Sequence, residues 1–229
     1  MDTPIGHRVS DEVIERGLRL PLKPDPVTLV GPCVELVPLD LDRDVEALHA
    51  VSNGQPVDLR HRSIGPYDPD ELIWRYMVAG PFPDAAALRA YLQPLVESPN
   101  GLCLCVIDRP SAKPIGVTNY LNNAPEHLRV ELGSLWYSPV AQGTSTNTEA
   151  TYLMLRHAFG LSYRRLEWKC NARNTRSWRA AERMGFKLEG VLEGYSIRKG
   201  CNRDSAWFRM LDTEWPAAER NLRELLSRE

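Results

Sequence analysis

The chain has 229 residues, 43% of them apolar and 25% charged, with a formal net charge of −2. That length suits one well-filled core and is short for two full domains. No apolar run reaches the roughly 20 residues of a membrane span, and the near-neutral balance lacks the basic footprint of a nucleic-acid binder.

The N-terminus, Met1-Asp2-Thr3-Pro4, lacks the basic-then-apolar order of a secretion signal. Residues 1–26 carry Pro4, Pro21, Pro24 and Pro26 with little periodicity beyond a short helix over 11–18. They are expected to form an arm, and 27–229 a single domain. Residues 27–39 read as two strand pieces bent at Gly31-Pro32, and Leu41, Val45 and Leu48 then recur at helical spacing behind Asp40 or Asp42 as cap. Residues 53–83, rich in Pro, Gly and Asp around a short helix over 71–77, have the composition of a segment that shapes a pocket. Asp84 is placed to cap a helix burying Leu88, Tyr91, Leu92 and Leu95, which Pro94 should kink or end.

The run 102–107 is apolar on both faces, as in a central strand covered on two sides. After a turn at 110–114, residues 115–122 pair back, and the meander continues through 130–137. A helix over 148–160, a strand over 164–170, a helix over 174–184 stopped by Gly185, and a hairpin from 186 to 211 follow. A last helix from Glu214 buries Trp215, Ala218, Leu222 and Leu225. The five cysteines, all but one in apolar strand-like runs, read as reduced thiols of a cytoplasmic protein. Cys103-Leu104-Cys105 lacks metal-pair spacing and no histidine cluster joins it, so no metal is expected.

This order predicts a mixed α+β fold with helices on both faces of one sheet. The helix between the strands at 130 and 164 is long enough to bring them parallel, and if their ends splay a cleft opens there. Into that cleft the turn 138–147 aims the unpaired N–H groups of a helix N-terminus, which suits the phosphates of a cofactor. Between Arg164 and Lys187 eight basic residues face only Glu167 and Glu182. The cluster is either a solvated face or a field that attracts a polyanion.

Three blocks, taken together, resemble the GNAT superfamily of acyl-CoA-dependent N-acyltransferases. They are Glu131-Leu132-Gly133 through Gln142-Gly143-Thr144-Ser145-Thr146-Asn147-Thr148-Glu149-Ala150, Asn174-Thr175-Arg176-Ser177 through Met184-Gly185-Phe186, and Glu189-Gly190 with the Arg203-Asp204 turn. Within the superfamily the likeness is to the Rim-type enzymes that acetylate ribosomal-protein N-termini. It implies a mostly antiparallel twisted sheet, helices on both faces, and a splayed parallel pair forming the cleft for acetyl-CoA. In the family's pyrophosphate loop Gln142 and Gly143 match, while Ser145 replaces a usual glycine and Asn147 a usual Gly or Ala. A left-handed Ser145 would cost roughly 1–2 kcal/mol. Alternatively the chain is helical there and the hydroxyl donates to a phosphate.

The resemblance places the cofactor on Trp136, Tyr137 and Ser138 at the strand end, on Gln142, Gly143, Thr144, Ser145, Thr146, Asn147 and Thr148, and on Asn174, Arg176 and Arg179. Acyl transfer to an amine requires a neutral nucleophile, stabilisation of the thioester oxygen and a proton for the thiolate. Glu131 is the candidate base, or else a charge on an edge face or a partner of Arg129. Backbone N–H groups at a bulge near Trp136 and Tyr137 would meet the oxygen. By resemblance Asn174 contacts the pantetheine arm and Ser177 is the acid, although Asn174 is also a natural helix cap and Ser177 could be an exposed serine. Tyr120 and Trp136 could wall the amine pocket or simply be core. The expected partner is an amine acceptor, a small molecule or a protein N-terminus, with no nucleic acid or membrane, and a homodimer through a sheet edge or the arm. The other reading is a non-catalytic acyl-CoA-binding sensor or scaffold, motivated by Ser145 and Asn147.

Overall fold

The computed structural model describes residues 2–3 and 6–228. An eight-stranded sheet organises it. Its strands are β1 (Leu29–Val30), β2 (Val34–Pro38), β3 (Leu102–Asp108), β4 (Lys113–Ala124), β5 (Arg129–Tyr137), β6 (Arg165–Asn171), β7 (Lys187–Arg198) and β8 (Cys201–Leu211). They lie in the order β7-β8-β6-β5-β4-β3-β2-β1. Every pairing is antiparallel except β5 with β6. Strands β5 and β6 run parallel because helix α4 (Thr146–Gly160) carries the chain back between them.

Strand alternation divides the core into two layers. Leu104, Val106, Tyr120, Leu132, Trp168 and Phe208 face α4 together with α5 (Thr175–Arg183) and α6 (Trp215–Ser227). Cys103, Cys105, Val117 and Trp136 face α2 (Leu41–Ala50), α3 (Ala85–Val96) and the buried Trp74. The arm helix α1 (Asp11–Arg19) begins at Ser10, whose hydroxyl accepts from the Val13 N–H, and Asn123 then holds the carbonyls of Pro21 and Leu22 at 3.0 and 2.9 Å. Of the arm, Met1, Pro4 and Ile5 lie outside the described residues.

Local chemistry accounts for most element ends. Asp40 caps α2 by accepting from Asp42 and Arg43, and Asp84 caps α3 by accepting from Ala87. Gly185, at φ +98°, ends α5. Helix α3 continues past Pro94 to Val96, since less than one turn follows the proline and its missing donor falls at a half-exposed helix end. The short helix expected at 71–77 is a single π-type turn, Asp70–Trp74, closed by Arg75 N–H on the Asp70 carbonyl at 2.7 Å. Cys33 and Cys201 are exposed rather than core, because each sits at a turn outside the strands' buried middles.

One contact fixes where α4 begins. Glu149, buried in its first turn, reaches under the β1–β2 bend and accepts from the Cys33 N–H at 3.0 Å. Gly31 lies so close that an added Cβ would sit 1.9 Å from the Glu149 carboxylate. Gly31→Ala should therefore displace this carboxylate and cost about 1–3 kcal/mol, at about 2–4 °C of Tm per kcal/mol in a chain of this size. A thermal melt checks this, and an unchanged Tm would show that Glu149 relocates without penalty.

Candidate active site

The parallel ladder between β5 and β6 runs from Arg129/Arg165 to Leu132/Trp168 and stops there, although β5 continues to Tyr137 and β6 to Asn171. The two strands fork. Beside the fork β5 bulges between Gly133, opposite Asn119, and Trp136, opposite Val117, with Ser134 left-handed at φ +46°. The Asn119 amide, fully buried, holds this bulge by donating to the carbonyls of Gly133 and Ser134 at 3.3 and 3.0 Å. The expected bulge at Trp136 and Tyr137 thus lies earlier, because those two residues are paired opposite Val117 and Gly116.

A cavity of about 740 Å³ occupies the fork, within the range of small-molecule sites. Its floor includes Gly143, Thr144, Asn147 and Thr148 at the start of α4, and Asn174, Arg176, Ser177 and Arg179 of α5 flank it. Helix α4 starts at Thr146, two residues earlier than the pattern suggested. Ser145 is right-handed at φ −62°, so the feared strain is absent, and the left-handed residue is Gly143 at φ +71°. Within this turn Thr146 N–H goes to the Thr144 hydroxyl at 3.1 Å. The N–H groups of Gly143, Thr144, Ser145, Asn147 and Thr148 have no acceptor among the described residues. Such a row of helix-start donors has the chemistry that suits an anion.

Gln142 braces the turn rather than reaching into it. Its amide donates to the carbonyls of Tyr137 and Leu72, both at 2.9 Å, and accepts from Arg176 at 3.2 Å. Arg176 also donates to the Glu71 carbonyl at 2.8 Å, and Lys199 to that of Trp74 at 2.7 Å. Together they bind the segment from Asp70 over the cavity, where Leu72, Ile73, Tyr76 and Met77 form its apolar wall. The pocket-shaping role expected of 53–83 falls on these residues.

Glu131 lines the cavity, buried, with one carboxylate oxygen accepting from Asn122 at 2.7 Å and from Lys169 at 2.9 Å. It lies on a central strand, not an edge, and Arg129 pairs instead with Glu167 at 3.5 Å. Parallel register sets Glu131 beside Glu167, and Lys169 bridges both, its ammonium 3.7 Å from the centre of the Trp207 ring. Burial alone would raise the Glu167 carboxyl, but Arg165, Lys169 and Arg129 hold it below the ordinary range. Across the fork Asn174 caps α5 by accepting from the Ser177 N–H, while the Ser177 hydroxyl accepts from the Trp168 indole at 3.1 Å. The hydroxyl keeps its own proton to donate, with the Cys170 sulfur as one acceptor within reach.

The expected residues divide accordingly. Glu131, Trp136, Tyr137, Gln142, Gly143, Thr144, Asn147, Thr148, Asn174, Arg176, Ser177 and Arg179 all line one cavity. Tyr120 does not. Alternation turns it to the α4 face, where its hydroxyl donates to the Met154 carbonyl at 2.7 Å beside His157. Ser138 is fully buried off the cavity, its N–H on the Ile115 carbonyl at 2.7 Å, so it is part of the frame. Ser145 and Thr146 contribute backbone at the turn while their side chains stand off the lining. The basic cluster is divided: Arg165 and Lys169 pair with carboxylates, as does Lys187 with Glu214, and Arg176, Arg179 and Arg183 face the cavity. Sequence reasoning missed Asn119, Asn122 and Lys169. Their signal was polar residues in otherwise apolar strands.

Residues 34–187 match the family described as the acetyltransferase (GNAT) domain. A GCN5-related N-acetyltransferase from Brucella melitensis is 32% identical, with a TM-score of 0.78 over 88% of this chain and 86% of that one. A probable GNAT-family acetyltransferase from Chromobacterium violaceum is 33% identical, with a TM-score of 0.71 over 82% and 93%. At 16% identity, an acetyltransferase from Salmonella typhimurium that modifies the N-terminal serine of the 50S ribosomal subunit protein L7/L12 shares the fold, with a TM-score of 0.66 over 81% and 99%. No curated protein matches the chain.

Gly143→Ala forces a side chain into the left-handed region, at a cost of about 1–2 kcal/mol, and should reorient the free N–H row. Calorimetry should show CoA binding weakened by about tenfold with the fold retained; unchanged affinity would mean that the turn does not hold the phosphates.

Proposed function

The chain belongs to the GNAT acetyltransferase family, enzymes that move an acetyl group from acetyl-CoA, and on that premise we propose that it acetylates a primary amine by direct attack within a ternary complex. The observation that carries this reading is that one forked cavity joins an unpartnered row of helix-start N–H groups to a buried carboxylate.

The residues fit the cofactor. The N–H groups of Gly143 to Thr148 take the pyrophosphate, Arg176 and Arg179 add charge, and Asn174 meets the pantetheine arm. Bound acetyl-CoA supplies an acyl carbon and a thiolate leaving group. Glu131 takes the ammonium proton, directly or through one water, so that the amine attacks neutral. Lys169 and Asn122 fix that carboxylate in one position. Amide groups freed by the bulge at Ser134 and Leu135, both on the cavity wall, stabilise the thioester oxygen. Ser177, oriented by the Trp168 indole, relays a proton to the departing sulfur, giving up its own and regaining through water the one that the acylated nitrogen loses. Trp136, 5.0 Å from Trp74, walls the acceptor side. The acceptor is a protein N-terminus of the Rim type or a small amine. The right-handed Ser145 carries no backbone strain, so of the two departures that favoured a non-catalytic module only Asn147 stands.

Incubation with acetyl-CoA and a panel of peptides and small amines, read by mass of the acetylated product, should show turnover; CoA binding without product from any acceptor would favour the module. Glu131→Gln should lower kcat/KM by about 10²–10⁴-fold. Ser177→Ala should slow turnover by about tenfold only, because a thiol of pKa about 8.5 leaves passably unaided. Equal rates for Glu131→Gln and the parent would assign the base elsewhere.

A further inference from the structure

Several cations on this side of the sheet are matched to anions, whereas Arg203 and Arg198, which both line the cavity, are not matched among the described residues. Lys169 lies 2.9 Å from Glu131 and 3.3 Å from Glu167, Lys199 lies 3.6 Å from Asp70, and Arg209 pairs with Glu214. Arg203 has no such partner among the described residues, and its Nε is buried without a hydrogen bond. Arg203 lies on β8 opposite Ser196 of β7, and both line the cavity, as does Arg198 near the hairpin tip. Cross-strand register fixes its side. Trp207 pairs with Lys169 and Ser205 with Asn171, so Arg203, two residues further, continues the face that bears Lys169 and, across β6, Glu131.

Arg203 is half-buried, its Nε shut off from solvent and unpaired, and burial together with the like charge of Arg198 lowers its affinity for its proton. The carboxylate of Glu131 attracts it, but no hydrogen bond or ion pair joins the two, and one of its oxygens is taken by Asn122 and Lys169. What the geometry lacks is an anion between Arg203 and the base.

We propose that the acceptor carries a carboxylate near its amine, and that Arg203, aided by Arg198, binds it while the amine faces Glu131. This rests on the reading of Glu131 as the acceptor-side base. Arg203 is then a residue that determines specificity: a planar guanidinium accepts a carboxylate through two parallel N–H donors, and a neutral amide in its place would leave that buried charge unmatched. The carboxylate comes either from a free amino acid or from an acidic side chain beside a peptide N-terminus.

Product mimics test this without turnover. The CoA-loaded protein is titrated calorimetrically with N-acetylglycine against N-acetylglycinamide, and with acetyl-Ser-Asp-amide against acetyl-Ser-Asn-amide. In at least one pair the carboxylate should bind about 10- to 100-fold tighter, which also identifies its source. Arg203→Gln should abolish that preference and leave CoA affinity unchanged, and Arg203→Lys should restore part of it. Equal affinity within both pairs, no binding of any mimic to CoA-loaded protein, or a preference that survives Arg203→Gln would overturn the proposal. Failure of acetyl transfer itself is read separately, from the absence of product with every acceptor in the panel.

Discussion

A parallel strand pair that stops pairing halfway leaves backbone donors and acceptors facing one another across a gap, and the rest of this structure depends on how that gap is kept open. Backbone groups in a protein interior are almost always satisfied, so two diverging strands need other partners or they close. Here the partners are specific. Asn119 takes the bulge carbonyls of β5, Gln142 takes the Tyr137 carbonyl at its end, and the Trp168 indole on β6 is held by Ser177. Each such bond contributes only about 0.5–1.5 kcal/mol. Their joint effect is a fixed opening whose floor is the first turn of α4.

The charges beside the fork form a second constraint. Glu131 and Glu167 are both buried and stand opposite one another in parallel register, an arrangement that repels unless a cation intervenes. Lys169 supplies it, and Arg165 and Arg129 complete the neutralisation of Glu167. Glu131 is consequently held by a lattice anchored on three strands, β4, β5 and β6, rather than by its own rotamer preference. Positioning of this kind suits a group that must meet a substrate proton within hydrogen-bond reach.

The wall opposite is built from a segment with little regular structure. The π-type turn from Asp70 has few intrinsic reasons to stay in place, and three side chains from distant elements, Gln142, Arg176 and Lys199, hold its carbonyls. The same residues therefore serve the cofactor turn, α5 and the hairpin at once. Shape at the wall from Asp70 is coupled to shape at the turn before α4 through Gln142, which touches both.

Much of this was legible in the sequence because it is local. Helix caps at Asp40, Asp84 and Asn174, the stop at Gly185, the alternation of the meander and the N–H row after the fifth strand follow from neighbours a few residues apart. The resemblance named the fold, and residues of its first two blocks line a single cavity, to which the third block adds only Arg203. What the tertiary structure alone decided is non-local. The backbone at Ser145 is right-handed because Glu149 and the bend at Gly31 start α4 early, a contact across more than a hundred residues. Tyr120 turned to the core by alternation opposite Leu132, whereas Trp136, four residues past Leu132, takes the other face because the bulge intervenes. Lys169 found Glu131, and Arg203 found no anion, because parallel and antiparallel registers across three strands set those distances, and register is a property of the assembled sheet rather than of any one strand.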